Sequence, residues 1–513
     1  MTKHKNIALF LLFVSATWCW QGCAKGPAEP DTPIEVKDLL SFSFPKDKNP
    51  GLAFTIGTQI KDDTIYARTF AGTDISKLVA DFTHDGQDVA VNGVVQQSGV
   101  TQQDFRSLVK YVVRHASGGE HSYTVKFSDT GLPAFYLSTG GQEILDKENY
   151  VKGTYRVVRG FTGEALHEGD ADVRGRGNST WNMPKKPYRL RLGTAAELLG
   201  MPSNRHWALM ANYADRSLIR NDVAFEISRR LGLEYTPRQQ YADFFLNGEY
   251  MGNYNVTEHI REGEQRVNID EENGGYMLEA DGFGYSEPVF FETPREMPIT
   301  VKYPGDGDIT ALQFDYIKDY FTAFEDALFA DNFADPEAGY QRYLDLTTFV
   351  NYYLANEIAG NSDLYWSMRM YKKSASDPLI YIGPVWDVDL GFNNDNRIGD
   401  AVKKLMLTDA HAPKQWIARI AEDPNFRRAV RTRWNAVKAD LATINQYVDR
   451  QANLLSYSQV GNFQRWDILQ EPNIHFNWYV GNTYQDYVDF IKTYLTERIA
   501  WLDTVYNGSG FAD

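Results

Sequence analysis

Cysteine is nearly missing from this chain: among 513 residues it occurs only at Cys19 and Cys23. No disulfide can therefore staple the folded body, and no thiolate cluster can hold zinc there. The nine histidines are scattered, and no H-E-x-x-H metal helix occurs. The G-x-x-x-x-G-K-[ST] phosphate loop and the G-x-S-x-G nucleophile elbow are missing too, which disfavours simple enzymes of those kinds. Positive charge is in deficit, with 52 Lys plus Arg against 68 Asp plus Glu and a formal net charge of -16. Such a surface is a poor match to a phosphodiester backbone, so no nucleic-acid partner is expected. The chain is nonetheless 43% hydrophobic and 14% aromatic, which excludes general disorder and leaves room for roughly two to four domains.

Long apolar runs are also lacking, with one exception. Behind Lys3 and Lys5, residues Ile7 to Trp20 form an apolar stretch too short to span a bilayer comfortably but suited to a signal-peptide core. Gln21-Gly22-Cys23-Ala24 follows and resembles the lipobox of bacterial lipoproteins, in which the cysteine is acylated and becomes the mature N-terminus. Residues 1–23 are thus expected to be a leader. Cys23 is the expected lipid anchor, and the protein is expected to be exported and membrane-tethered on the cell envelope, at the outer membrane of a Gram-negative bacterium. The alternative is cleavage nearby and a soluble exported product, since Trp20 and Gln21 depart from the usual lipobox residues. Residues 24–36, carrying Pro27, Pro30 and Pro33, read as an extended tether.

From Leu39 to Ser128 the pattern is short β-rich runs separated by turns: Leu40–Phe44, Thr64–Arg68, Val89–Val91 before Asn92-Gly93, and Tyr123–Phe127. A small all-β sandwich over residues 37–130, immunoglobulin-like in size and structural in role, is the natural reading. The larger region, 134–506, opens with strands near Tyr155–Arg159, Ala171–Arg176 and Pro187–Leu192. A hairpin is then expected around Asn247-Gly248, because Asn-Gly supplies the two positive φ angles of a type I′ turn. Leu218, Ile219, Val223, Ile227 and Leu231 fall near helical spacing before Gly232, a C-cap signal. After Asp308 helices are expected over Leu312–Phe333, Thr347–Ile358, Trp416–Ala421, Asn425–Leu454 and Tyr484–Val505. Sheet first and helices later makes the body α+β with two lobes.

Three constellations carry chemistry. The segment from Arg174 to Tyr188 combines Gly175 and Gly177 with Ser179, Thr180, Arg174, Arg176, Lys185 and Lys186; an anion would sit well on it, although a tight turn with solvated basic flanks fits equally. Asp363, just past a helix ending near Gly360, is placed to accept a hydroxyl proton, or else merely terminates that helix. In Tyr381–Phe392, Asp387 and Asp389 leave one strand on the same face, offering the hard oxygen ligands that Mg²⁺ on phosphates requires. An EF-hand reading fails, because Gly391, Phe392 and Ile398 occupy positions where that loop needs other residues.

These stretches, with Trp207–Asp215, Gly248–Glu258 and Gly275–Asp281 between them, resemble the spore-coat-protein-H (CotH) type of atypical protein kinase. The resemblance implies a divergent, two-lobed protein-kinase-like domain that transfers the γ-phosphate of ATP, with Mg²⁺ or Mn²⁺, to Ser hydroxyls of an envelope or secreted protein. It places the catalytic aspartate on Asp363 and the metal-binding aspartate on Asp387, with Asp389 sharing the metal. Arg174, Arg176 and Lys186 become nucleotide-binding residues, with Glu226 as the ion-pair partner of Lys186. The sequence departs from ordinary kinases where Ser367 and Met368 stand in place of a metal-holding Asn. A kinase-like surface lipoprotein that binds a protein or glycan partner without catalysis is the alternative. If Cys23 is the anchor, cells fed labelled palmitate incorporate it into the wild-type protein and not into Cys23→Ala; equal labelling of both would remove the anchor from the account.

Overall fold

The structure is a computed structural model that describes residues 38–116, 118–411 and 414–512. The leader, Cys23 and the tether lie outside the described residues. The chain is mixed α and β, β-rich at the N-terminal end and helical toward the C-terminus.

In residues 38–129 a three-stranded and a six-stranded sheet share one core. Alternation builds it: Phe42 and Phe44 from one sheet meet Ile65, Val113, Tyr123 and Val125 from the other, while the residues between them face outward. The ring of Phe42 lies edge-on to Tyr111 at 4.9 Å, a favourable aromatic geometry. The Asn92-Gly93 turn takes positive φ at both residues, as its hairpin requires.

The strands that follow do not form an open sheet. They close into a seven-stranded barrel in the order Ala134–Ser138, Val151–Val158, Ala165–Gly175, Tyr188–Ala196, Asn204–Met210, Glu249–Glu258 and Gln239–Leu246. Closure comes from Ala134–Ser138 pairing parallel with Gln239–Leu246, a long-range contact that local alternation does not encode. Phe135, Val157, Val173, Leu190, Trp207, Phe244 and Val256 fill the interior, so the barrel is packed and not a channel. The Asn247-Gly248 hairpin forms in the expected register, Leu246 opposite Glu249.

One helix interrupts the barrel. Arg220–Arg230 is inserted between two barrel strands, and its Val223, Ala224 and Ile227 belong to the core of the helical half. Gly232 follows at φ 67°. Beyond the barrel lies a five-stranded sheet containing Tyr276–Asp281 and Ser367–Lys372, backed by helices Ala311–Phe329 and Leu346–Ala359. The expected Asn425–Leu454 helix is two, Pro424–Leu441 and Ile444–Leu454. The break at Ala442-Thr443 lets Leu441, Ile444 and Val448 all face one core, and with neither Gly nor Pro it leaves no local signal. The short helix Ser458–Arg465 lies against strand Glu249–Glu258, where Asn253 Nδ2 donates to Ser458 Oγ at 2.9 Å and Trp466 Nε1 donates to Met251 O at 2.8 Å. Among the described residues no helix is long and apolar enough to cross a membrane.

The deepest electrostatic tie in the helical half joins Arg498 to Glu357, 2.9 Å apart and both almost wholly inaccessible. Arg498 also donates to the carbonyls of Glu357, Ala401 and Val402 at 2.8 to 3.0 Å, so the charge is paired and its other donors are used. Arg498→Met strands a buried carboxylate and should cost about 3–5 kcal/mol in denaturant unfolding. Adding Glu357→Gln should recover part of that loss, and an additive double mutant would show that the pair is not coupled.

Candidate phosphoryl-transfer site

The acidic end of the site is a turn held from behind. Helix Leu346–Ala359 ends at Gly360 in the left-handed conformation, which satisfies its last carbonyls. The loop behind it carries Asp363. Asn361 is buried, donates to Asn356 Oδ1 at 3.0 Å and accepts from the Asp363 amide at 3.3 Å. Farther along, Asp387, Phe392 and Asn393 all adopt φ near +60° without being glycine, a conformation that costs energy and tends to mark functional turns.

Helix Arg220–Arg230 maintains this turn. Asn221 Oδ1 accepts from the Val388 amide at 2.8 Å, and Arg220 Nε donates to Gly391 O at 3.1 Å. Arg220 is itself pinned by Asp215 at 2.5 Å with both side chains buried. Asn394 donates to Asp389 O at 2.9 Å and to Ala214 O at 3.2 Å, closing the turn from the other side.

Asp387 and Asp389 are thereby presented without a direct side-chain partner. Neither carboxylate makes an ion pair or a hydrogen bond to another side chain among the described residues. Asp387 is open to water on one side and ringed by protein elsewhere; Asp389 is half-buried. Burial raises the pKa of Asp387, with Asp363 and Glu279 pushing the same way and Arg176 and Arg369 opposing. Burial also pushes Asp389 up to about 8, reinforced by Asp387 and Asp215. Asp363 and Asp387, distant in sequence, are thus close enough for one to act on the other's protonation.

Asp363 is gripped by a residue that the sequence reading did not single out. Arg397 Nη2 donates to both Asp363 carboxylate oxygens at 3.0 Å and to Asp395 Oδ2 at 2.7 Å. Burial would raise Asp395, but hydrogen bonds from Arg397 and Ser362 outweigh it and hold the carboxyl below its usual range. Arg369, also unanticipated, pairs with Glu279 at 3.1 Å, and Glu279 accepts from Ser367 Oγ at 2.7 Å. Ser367 is thus engaged with Glu279, and Met368 is buried in the core.

The basic segment divides. Arg176 stacks 5.2 Å over Trp386 beside Asp387, and burial lowers its pKa to about 10 against the pull of that carboxylate. Arg174 turns to Tyr150, 4.9 Å away, and to Lys147 O. The pairing of Lys186 with Glu226 is not found. Lys186 Nζ donates to Trp181 O, whereas Glu226 is taken by Arg229 at 3.1 Å and Arg230 at 3.0 Å on its own helix. The reason is spacing: those arginines sit three and four residues on, within reach on the same helical face. The buried lysine is Lys185, donating to Asn253 O at 2.6 Å and Asn462 Oδ1 at 2.8 Å.

A divalent cation fits Asp387 and Asp389: hard oxygen donors, without direct ion-pair partners, with raised proton affinity. Among the described residues no group of three or more His, Cys, Asp or Glu is placed to hold a metal. An ion held by this pair would take its remaining ligands from other oxygen donors or water.

Comparison with known proteins follows the same lines. The family described as CotH kinase protein matches residues 173–502, well over half of the chain. No curated protein matches. Among solved structures, one from Bacteroides thetaiotaomicron, assigned provisionally as a glycoside hydrolase, shares 23% identity over 36% of this chain and 54% of that one, with a TM-score of 0.16. The match thus spans about half of that structure's length.

The carboxylate pair sets a pH signature. Burial and the neighbouring carboxylates push Asp389 from the ordinary carboxyl value of 3.8 up to about 8 in the folded chain, so between these values the folded state holds a proton that the unfolded state releases. Stability from this group is complete below about pH 4 and is lost as pH rises through 8. Metal-free melting temperatures should fall over that window, less so in Asp389→Asn, and Mn²⁺ should restore more at pH 8 than at pH 5. Identical pH profiles for the variant and the wild type would contradict this electrostatic reading.

Proposed function

The chain is a member of the CotH kinase protein family, and we propose that it transfers the γ-phosphoryl group of ATP to Ser hydroxyls of envelope or secreted proteins. The observation that carries this reading is the convergence of Asp363 with the Asp387–Asp389 pair, which has no direct ion-pair partner. The barrel with helix Arg220–Arg230 would serve as one lobe and the helical half as the other, with the acidic turn between them. Through Cys23 the protein would act while tethered to the membrane.

Each residue has a defined task. Asp363, oriented by the two hydrogen bonds from Arg397, accepts the proton of the acceptor hydroxyl as the Ser oxygen bonds to phosphorus. The bond between the γ-phosphorus and the bridging oxygen breaks, and ADP leaves with that electron pair. A divalent cation, when bound, supplies charge neutralisation at the phosphate oxygens; Asp387 and Asp389 would hold it. Arg176 counters charge on the same side of the turn. Phosphoryl transfer asks the protein mainly for positioning and electrostatics, and this arrangement offers both.

Purified protein given Mn²⁺ and ATP labelled at the γ-phosphate should transfer label to itself or to envelope extract. Asp363→Ala should lower the rate by about 10²–10⁴-fold while ATP–metal still raises its melting temperature. Folded wild type that transfers no label, or Asp363→Ala equal to wild type, would defeat the proposal.

A further inference from the structure

A cleft of about 670 Å³ opens where the N-terminal β region meets helix Ser458–Arg465, and it shares no residue with the acidic turn. In a chain of net charge -16, the charged side chains lining it are Lys61 and Arg68, and no acid lines it among the described residues. Strand alternation puts them there. In strand Thr64–Thr69, Ile65 and Ala67 enter the sandwich core, so Tyr66 and Arg68 face outward. Gln59 stands opposite Tyr66 on the edge strand, and Lys126 flanks Tyr66 on its other side. The nearest acids are engaged elsewhere: Asp63 pairs with His121 at 2.8 Å, and Asp129 accepts from the Gly131 and Phe161 amides at 2.8 and 2.6 Å. Asp62, at the tip of the turn between the two strands, does not line the cleft.

The cleft is built before any ligand arrives. The Arg68 guanidinium lies 3.2 Å over the centre of the Tyr457 ring, and its Nη1 donates to Asp129 O at 3.2 Å. Its other donors have no protein acceptor among the described residues, so an oriented cation is left with hydrogen bonds to give. Helix Ser458–Arg465 comes close because Gly461 is a glycine: a Cβ there would stand 2.8 Å from the Phe70 ring. Phe70 in turn stacks on Tyr250 at 4.2 Å. Buried Asp243 accepts from Thr130 Oγ1 and from Ser458 Oγ, each at 2.6 Å. That carboxylate ties the end of the β region, the barrel and the helix into one junction.

We propose that this cleft binds an oligosaccharide bearing acidic groups, with Arg68 and Lys61 meeting its carboxylates. The volume suits several linked rings better than a single small anion. Tyr66, 44% exposed, offers an aromatic face to a sugar ring, and the amides of Gln59 and Gln464 can both donate to and accept from hydroxyls. An acidic peptide is the less favoured occupant. The sheet edges beside the cleft, Ile56–Gly57 and Gln59–Lys61, are two and three residues long, a poor template for strand addition.

The test is calorimetric, on the full-length protein, with hexamers of galacturonate and of alginate as probes, the methyl-esterified galacturonate hexamer as neutral control and hexaglutamate as the peptide rival. At least one acidic hexasaccharide should bind, more weakly as salt rises, and the ester at least tenfold more weakly than its acid. Arg68→Gln should weaken binding roughly tenfold or more. Lys61→Gln should weaken it too while melting as wild type does, because Lys61 is exposed and makes no ion pair among the described residues. That variant separates loss of binding from loss of folding. Hexaglutamate bound as tightly as the acidic sugars would hand the cleft to acidic peptides and overturn the glycan assignment. Wild type that binds neither acidic hexasaccharide, or binding unchanged in both Arg68→Gln and Lys61→Gln, would overturn it as well.

Discussion

The site depends on two carboxylates that the fold leaves without partners. Asp387 and Asp389 stand on a turn in which Asp387 itself and the following Phe392 and Asn393 are left-handed, and the amide of Val388 between the two carboxylates is held by Asn221. Arg498 with Glu357 and Arg220 with Asp215 are matched buried pairs. Asp387 and Asp389 have no ion-pair partner among the described residues, and Asp387 raises the proton affinity of Asp389. A divalent cation bound there would supply the missing counter-charge.

The rest of the architecture keeps this point fixed. Asn221 and Arg220 lie at the start of a helix inserted in the barrel but packed in the core of the helical half. The helix therefore ties barrel position to turn position: moving one half against the other would disturb Asp387 and Asp389. On the opposite side, Arg397 draws Asp363 and Asp395 together, so the Asp363 carboxylate is oriented before any ligand arrives. Arg369, immediately downstream of the Asp363 loop and anchored by Glu279, brings cationic charge to the same place.

Much of this was legible in the sequence where the signals are local. Asn247-Gly248 announced its hairpin and Gly360 its helix end, because turn chemistry acts within a few residues. The strand expected to carry Asp387 and Asp389 instead ends at Ile382, and both stand in a turn where Asp387 takes positive φ, so strand alternation does not set their sides. Barrel closure was not legible, since it rests on pairing Ala134–Ser138 with Gln239–Leu246 across a hundred residues of chain. Lys186 and Glu226 were misread for a related reason: a family pattern suggested a long-range pair, while Arg229 and Arg230 stood one helical turn away. Arg397 was missed although it lies two residues beyond Asp395. A lone Arg in a loop carries no sign of its target until the backbone folds back on the Asp363 loop.

The central claim concerns a cation held jointly by the carboxylate pair and a phosphate chain, and electron paramagnetic resonance of Mn²⁺ reaches it most directly. With a non-hydrolysable ATP analogue present, wild-type protein should remove one Mn²⁺ per chain from the free-ion signal, and Asp387→Asn should leave that ion free. Mn²⁺ that binds equally in the two proteins, or in neither while both remain folded, would contradict the account.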